Sequence, residues 1–260
     1  MTQPLEAVNQ AINDLLRMAA YAQSNDLLVK RYERQARAAL ESGVGDPAFA
    51  WLSFAAIAVI QGNHTECVRS VRAALKLSPR DKMVLANGMG LLAAVAECRL
   101  AREVCQQMEP LVSANDTTAI SGMVNLYRTI LDFEGALDMI GRFKVSDSDP
   151  VVDSMKRLLA LAEAHGATRE MREELIETAV GAVRAHGGTI RQTMMEDFGD
   201  AGLRMELYVT DSAQRCGELN WAISEALCER FDDPAPGMVT FACRPVSSYR
   251  FDGQFVSVTR

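Results

Sequence analysis

Apolar positions recur at spacings of three and four residues along most of this chain, and they change to strict alternation near its C-terminal end. Leu5, Val8, Ala11, Ile12, Leu15, Leu16 and Ala19 make one stripe of an amphipathic helix. Ser24-Asn25-Asp26 is a helix-start cluster, and Gly43 and Gly45 mark the end of the helix that follows it. Similar helical runs continue to the stop at Gly187-Gly188, the last pair carrying Val152, Met155, Leu158, Leu159 and Leu161, then Leu175, Ile176, Val180 and Val183. From Leu203 to Thr210 apolar and polar residues alternate, the pattern of a half-buried strand. Asp211-Ser212 then opens a helix to about Phe231, followed by strands over Met238–Cys243 and Gly253–Val258. The pattern predicts a mainly α chain, with helix pairs over 1–190 and a small α+β unit of β-α-β-β order over 200–260. At ~60 residues that unit is marginal alone and is expected to lean on the last helices.

The helical part has a period. Gly62-Asn63 precedes Cys67, Val71 and Ala74, and Pro79-Arg80-Asp81 closes that run. Ala101, Cys105 and Met108 recur 34 residues later, and Ala136, Ile140 and Phe143 recur 35 residues after those. Asp46-Pro47 opens the best-formed unit, with Trp51, Phe54 and Ala55 on its first helix. Residues 82–115 and 117–150 repeat the plan, Tyr127 restoring an aromatic, Asp132 standing where Asn63 stood, and Pro150 ending the third unit. This pattern resembles the tetratricopeptide repeat, closely over 46–150 and loosely over 4–187. The resemblance implies four to five stacked helix pairs forming an α-α superhelix, the first pair acting as a divergent cap.

In that family the first helices of successive pairs line a groove that grips peptides or helices. Carried over by register, the resemblance places Phe49, Leu52, Ala56 and Val59 on the inner face of the first good repeat. Asn87 and Gly90 follow in the second, and Ser121, Asn125 and Arg128 in the third. Members that hold a terminal carboxylate use lysine, asparagine and arginine there. Here the first-repeat face is apolar and no lysine lines it, so an apolar helix, an internal peptide segment or the chain's own C-terminal unit suits it better. The implied partner-binding residues are Leu52, Val59, Asn87, Asn125 and Arg128, with Asn125 bonding a peptide backbone and Arg128 pairing with an acidic side chain.

Chemistry in the composition is sparse. Six cysteines are scattered without paired spacing, so they read as reduced core fillers and no zinc or other cofactor is expected. His64 and Cys67, three residues apart, lack the second ligand pair that a structural zinc site wants. Gly88-Met-Gly90 lies in a helical pattern and lacks the lysine of a phosphate loop. Asp211 after a strand fits a helix start better than a catalytic carboxylate. The net charge of −7 disfavours nucleic acid and anionic membrane as partners. Lys30, Arg34 and Arg37, then Arg69, Arg72 and Lys76, then Arg99 and Arg102 form a ladder along the second helices, read mainly as a solvated face.

No run reaches the ~18 apolar residues of a membrane span, and the opening MTQPLEAVNQ lacks a basic region followed by an apolar run. The expectation is a cytoplasmic protein, and 22 arginines against five lysines suggest a bacterial, GC-rich source. The function expected is that of a non-enzymatic adaptor, chaperone or regulator binding a protein segment. The alternative is an enzyme or ligand sensor whose site lies in the C-terminal unit.

Overall fold

The structure, a computed structural model, describes residues 4–251 except 44, 147 and 148, and residues 4–9 by their backbone alone. Ten helices come first: α1 (Pro4–Ala20), α2 (Asp26–Ser42), α3 (Pro47–Gln61), α4 (His64–Leu77), α5 (Lys82–Ala94), α6 (Cys98–Met108), α7 (Thr117–Thr129), α8 (Phe133–Phe143), α9 (Pro150–Ala164) and α10 (Arg169–Ala185). A three-stranded sheet and one helix follow as β1 (Ile190–Asp197), β2 (Leu203–Val209), α11 (Ala213–Arg230) and β3 (Val239–Pro245). The chain is thus mainly α with a small C-terminal sheet, as the change of periodicity predicts.

Short polar residues start the helices. Asn25, Asp46, Asn63, Asp81, Asp116, Asp132, Asp149, Thr168 and Ser212 each accept a backbone N–H of the first turn, filling part of the hydrogen-bond deficit at a helix N-terminus. The same turn joins three successive pairs. Gly62, Ala96 and Leu131 all adopt the left-handed conformation, at φ of 70°, 56° and 58°, immediately before the caps Asn63, Glu97 and Asp132. Helices then stack in a repeated manner: α1 on α3, α3 on α5 and α5 on α7, with α2, α4 and α6 each packing on the helix that follows. Ala55, Cys67, Val71, Ala74, Ala101 and Cys105 are fully buried at these contacts, since small side chains let the helix axes approach.

The last helix departs from the expected pairing. α10 packs chiefly on α11, through the stripe Leu175, Ile176, Ala179, Val180 and Val183, and it is tied by ion pairs to α6 and α8. Arg99 reaches Glu173 and Glu177 at 3.0 and 2.8 Å, and Arg102 reaches Glu173 at 2.7 Å. Asp132, wholly buried, takes ion pairs from both Arg102, at 3.2 Å, and Arg169. Arg172 is also fully buried, its guanidinium 4.9 Å above the Phe133 ring and paired with Glu134.

The sheet has the order β1-β2-β3, with β1 antiparallel and β3 parallel to β2, and α11 makes the crossover. The described order is therefore β-β-α-β, not β-α-β-β. Strand β1 fills the gap left between the two predicted units, and the predicted strand 253–258 lies outside the described residues. One face of β2 is an apolar stripe of Leu203, Met205, Leu207 and Val209; the other holds Arg204, Glu206 and Tyr208. The buried Glu206 carboxylate faces Arg204 at 3.1 Å and Arg244 of β3 at 2.6 Å, and accepts the Tyr208 hydroxyl.

Strand β1 does not hang free. It packs on α3, α5 and α7, the first helices of three successive pairs. Gln192 donates to the Ala19 carbonyl, Arg191 to that of Gln23 at 3.3 Å, and Thr193 to that of Ala93 at 3.0 Å. At its far end Asp197 accepts Ser154 of α9 at 2.8 Å and pairs with Arg157. Gly62 permits the near end: a Cβ there would stand 2.0 Å from the Thr189 methyl.

Candidate functional site

The side chains of α3 show where the surface opens. This helix is apolar on nearly every side because α1, α2, α4 and α5 surround it, and only Trp51 and Phe54 remain partly exposed along its middle. They stand one helical turn apart with ring centroids 5.7 Å from each other, and they floor a cleft of about 530 Å³ that Leu40 of α2 and Ile57 of α3 also line. Arg69 from α4 lays its guanidinium 5.0 Å over the Trp51 ring. Glu66 holds it there, accepting its Nε and terminal nitrogen at 2.9 and 2.6 Å, and this bond with Arg69 holds the Glu66 carboxyl below the usual range. On the opposite wall Arg37 pairs with Glu33 at 2.9 Å, while Glu41 lines the rim.

An aromatic floor with ionic walls can accept an apolar side chain and align the charges flanking it. A volume of this size falls within the ~300–1,000 Å³ of clefts that hold ligands. A second cavity, about 350 Å³, lies among α6, α7, α8 and the start of α10. Its central polar groups are tied to one another, Tyr127 donating to Glu109 at 2.6 Å and Arg142 pairing with the same carboxylate at 2.6 Å.

The five residues assigned to a groove are not brought together on an open surface. Leu52 and Val59 are 0% and 1% exposed: they belong to the helix-packing core, a correction to the reading that placed them on a binding face. Their faces of α3 are taken by neighbouring helices, which hydrophobic residues on all sides of a helix require. Asn87 donates to the Met83 carbonyl of its own helix at 2.7 Å. Asn125 is exposed. Arg128 is half-buried, its Nε is shielded from solvent, and its guanidinium has no hydrogen bond or ion pair with any described residue. The repeat register puts Trp51 at the family's aromatic position and Phe54 at its bulky one; that both stay partly exposed follows from the spacing of α2 and α4, which no single position encodes.

The basic ladder divides. Arg99 and Arg102 are spent on α10, whereas Lys30, Arg34, Arg37, Arg69, Arg72 and Lys76 are exposed, and of these Arg37 and Arg69 line the cleft. The histidine and cysteine pair separates too. His64 lies 2.7 Å from Glu97, which is held below the usual carboxylate range by that bond, while the buried Cys67 thiol, pushed up to about 12 by burial, points to the Leu91 carbonyl. Among the described residues no group of three or more histidine, cysteine or acidic side chains is placed to hold a metal ion, and no helix is long and apolar enough to cross a membrane.

At the C-terminal end of β2, Ser212 caps α11 by accepting the Arg215 N–H at 3.2 Å, so the cap is Ser212 and not Asp211. Asp211 keeps one shielded carboxylate oxygen without a hydrogen bond to any described residue. Burial, then the Asp211 charge, raises the Cys216 thiol, and burial pushes the Cys243 thiol up to about 12, so neither is poised as a thiolate. Compared with protein-family models, curated proteins and solved structures, the chain matches none.

Proposed function

We propose that this chain is a protein-binding adaptor or regulator built on tetratricopeptide-like helix pairs, and that it recognises a protein segment through the Trp51–Phe54 cleft. The observation that carries the reading is the cleft itself: two partly exposed aromatics on an otherwise buried helix, walled by oriented Arg–Glu pairs. The 34-residue echo and the repeated left-handed turn support the repeat architecture. The groove common to that family lies along first helices, and here β1 rests on three of them. Recognition is therefore assigned to the opening between α2 and α4. Aromatic side chains that are rigid and already desolvated on one side are the usual anchors of such surfaces.

Immobilised full-length chain should retain a specific protein from an extract of its source, identified by mass spectrometry. Trp51→Ala with Phe54→Ala should abolish retention while the variant still melts cooperatively, and Arg128→Glu, outside the cleft, should leave it intact. Retention that survives the cleft substitutions but fails with Arg128→Glu would return the partner to the first-helix face.

A further inference from the structure

Helix α11 buries Leu219, Ile223 and Leu227 and leaves Trp221 on its outer face, 68% exposed. Glu218, Glu225 and Glu229 share that face at helical spacing, and all three are exposed. No lysine or arginine lies among them. The two cations of the helix sit at its flanks and are already engaged: Arg215 pairs with Glu218 and donates to the His186 carbonyl, and Arg230 pairs with Glu174 of α10. Glu225 and Glu229 have no hydrogen bond or ion pair with any described residue, and the turn that follows adds the exposed Asp232 and Asp233.

Other rings that reach the surface show what is missing here. Trp51 and Phe198 each carry a guanidinium 5.0 Å from the ring centroid, from Arg69 and Arg204, and the exposed Tyr21 packs edge-on against Phe251. No described ring or guanidinium stacks on Trp221. Gly217 and Ser224, beside it on the same face, have little or no side chain, so the indole stands clear of the helix surface. An indole face attracts a cation, and more strongly once both leave water. The free carboxylates one and two turns along attract the same charge. They repel polyanions, so a protein suits this face and nucleic acid or an anionic membrane does not.

We propose that the outer face of α11 docks a basic segment of a partner protein, seating a lysine or arginine side chain over the Trp221 ring and pairing others with Glu225 and Glu229. This is a second surface and does not depend on the Trp51–Phe54 cleft. In the cleft Arg37 and Arg69 already hold Glu33 and Glu66, whereas the two carboxylates beyond Trp221 are free to take a cation from outside. The indole supplies apolar burial and the cation contact, and the glutamates fix the register of the flanking basic side chains.

Two synthetic probes test this on the full chain: a short amphipathic helix with leucine on one face and lysine on the other, and the same peptide with glutamate in place of lysine. Calorimetric titration should show the lysine peptide binding, less tightly as salt rises, and the glutamate peptide not binding. Trp221→Ala, at an exposed position whose loss should leave cooperative melting intact, should weaken the lysine peptide on the order of tenfold or more. Glu225→Lys combined with Glu229→Lys should weaken it as well. Cys228 is exposed on the same face, two turns beyond Trp221, so bound peptide should slow its alkylation. A lysine peptide that fails to bind, or a glutamate peptide that binds as tightly, overturns the proposal. So does binding that is undiminished in Trp221→Ala or leaves Cys228 unprotected, because the peptide then sits elsewhere on the chain.

Discussion

The thiols are a sharp test of packing at single residues. Five of the cysteines are buried and Cys228 is exposed, and burial pushes Cys67, Cys98, Cys105 and Cys243 up to about 12. Near neutral pH a thiol reagent should therefore label the native protein at Cys228 alone, with the others reacting only after unfolding. Peptide mapping checks this, and rapid native labelling of Cys67 or Cys105 would place them outside the helix contacts. Those two positions were legible in the sequence, because the period put small residues at each. Arg172 was not. A guanidinium that is wholly buried by stacking on Phe133 and pairing with Glu134 depends on two residues nearly forty positions away, and nothing local announces it.

At the scale of elements, the recurring left-handed turn yields a second prediction. Gly62 suits its backbone, but Ala96 and Leu131 hold the same conformation at a cost of about 1–2 kcal/mol for a side chain with a Cβ. Ala96→Gly should relieve part of this and raise stability by up to about 1 kcal/mol, the gain being reduced by the greater freedom of the unfolded chain. A denaturant midpoint that falls would show that Ala96 packing outweighs its strain.

The helices were readable because caps and a 3.6-residue period coincide, as at Asp46, Asn63 and Asp132. Strand β1 was not readable. Its sequence Ile190-Arg-Gln-Thr-Met-Met-Glu-Asp197 has no clean alternation, its pairing with β2 is irregular between Ile190 and Gln192, and it spends polar side chains on helix carbonyls, so the pattern of a strand with one wet face never forms. Missing it concealed what rests on the first helices.

Over the whole molecule, charge ties the elements together, and acid should loosen them. Glu97 is lowered by its bond to His64, and Glu173 is lowered by Arg102 and Arg99 despite burial that works the other way. Burial likewise opposes, and Ser154, the Gly199 N–H and Arg157 overcome it, at Asp197. A carboxylate whose folded pKa is depressed contributes stability that is fully present above its unfolded value, 4.5 for the glutamates, and lost as pH falls through the folded one. The urea midpoint should hold on approach from neutrality and drop below about pH 4.5. Glu97→Gln should shrink the drop, and an undiminished one would remove Glu97 from the cause.

Contacts join the C-terminal sheet to the helix pairs: β1 rests across α3, α5 and α7, and α10 is pinned to α6 and α8. Native-state amide hydrogen exchange addresses that union most directly. The slowest amides of β1 and β2 should report the same opening free energy as those of α3 and α5, because the sheet and the helices beneath it come apart only when the whole molecule unfolds. Strand amides that exchange through a lower-energy opening, while α3 and α5 stay protected, would contradict this. They would show a detachable unit and a first-helix face open to partners.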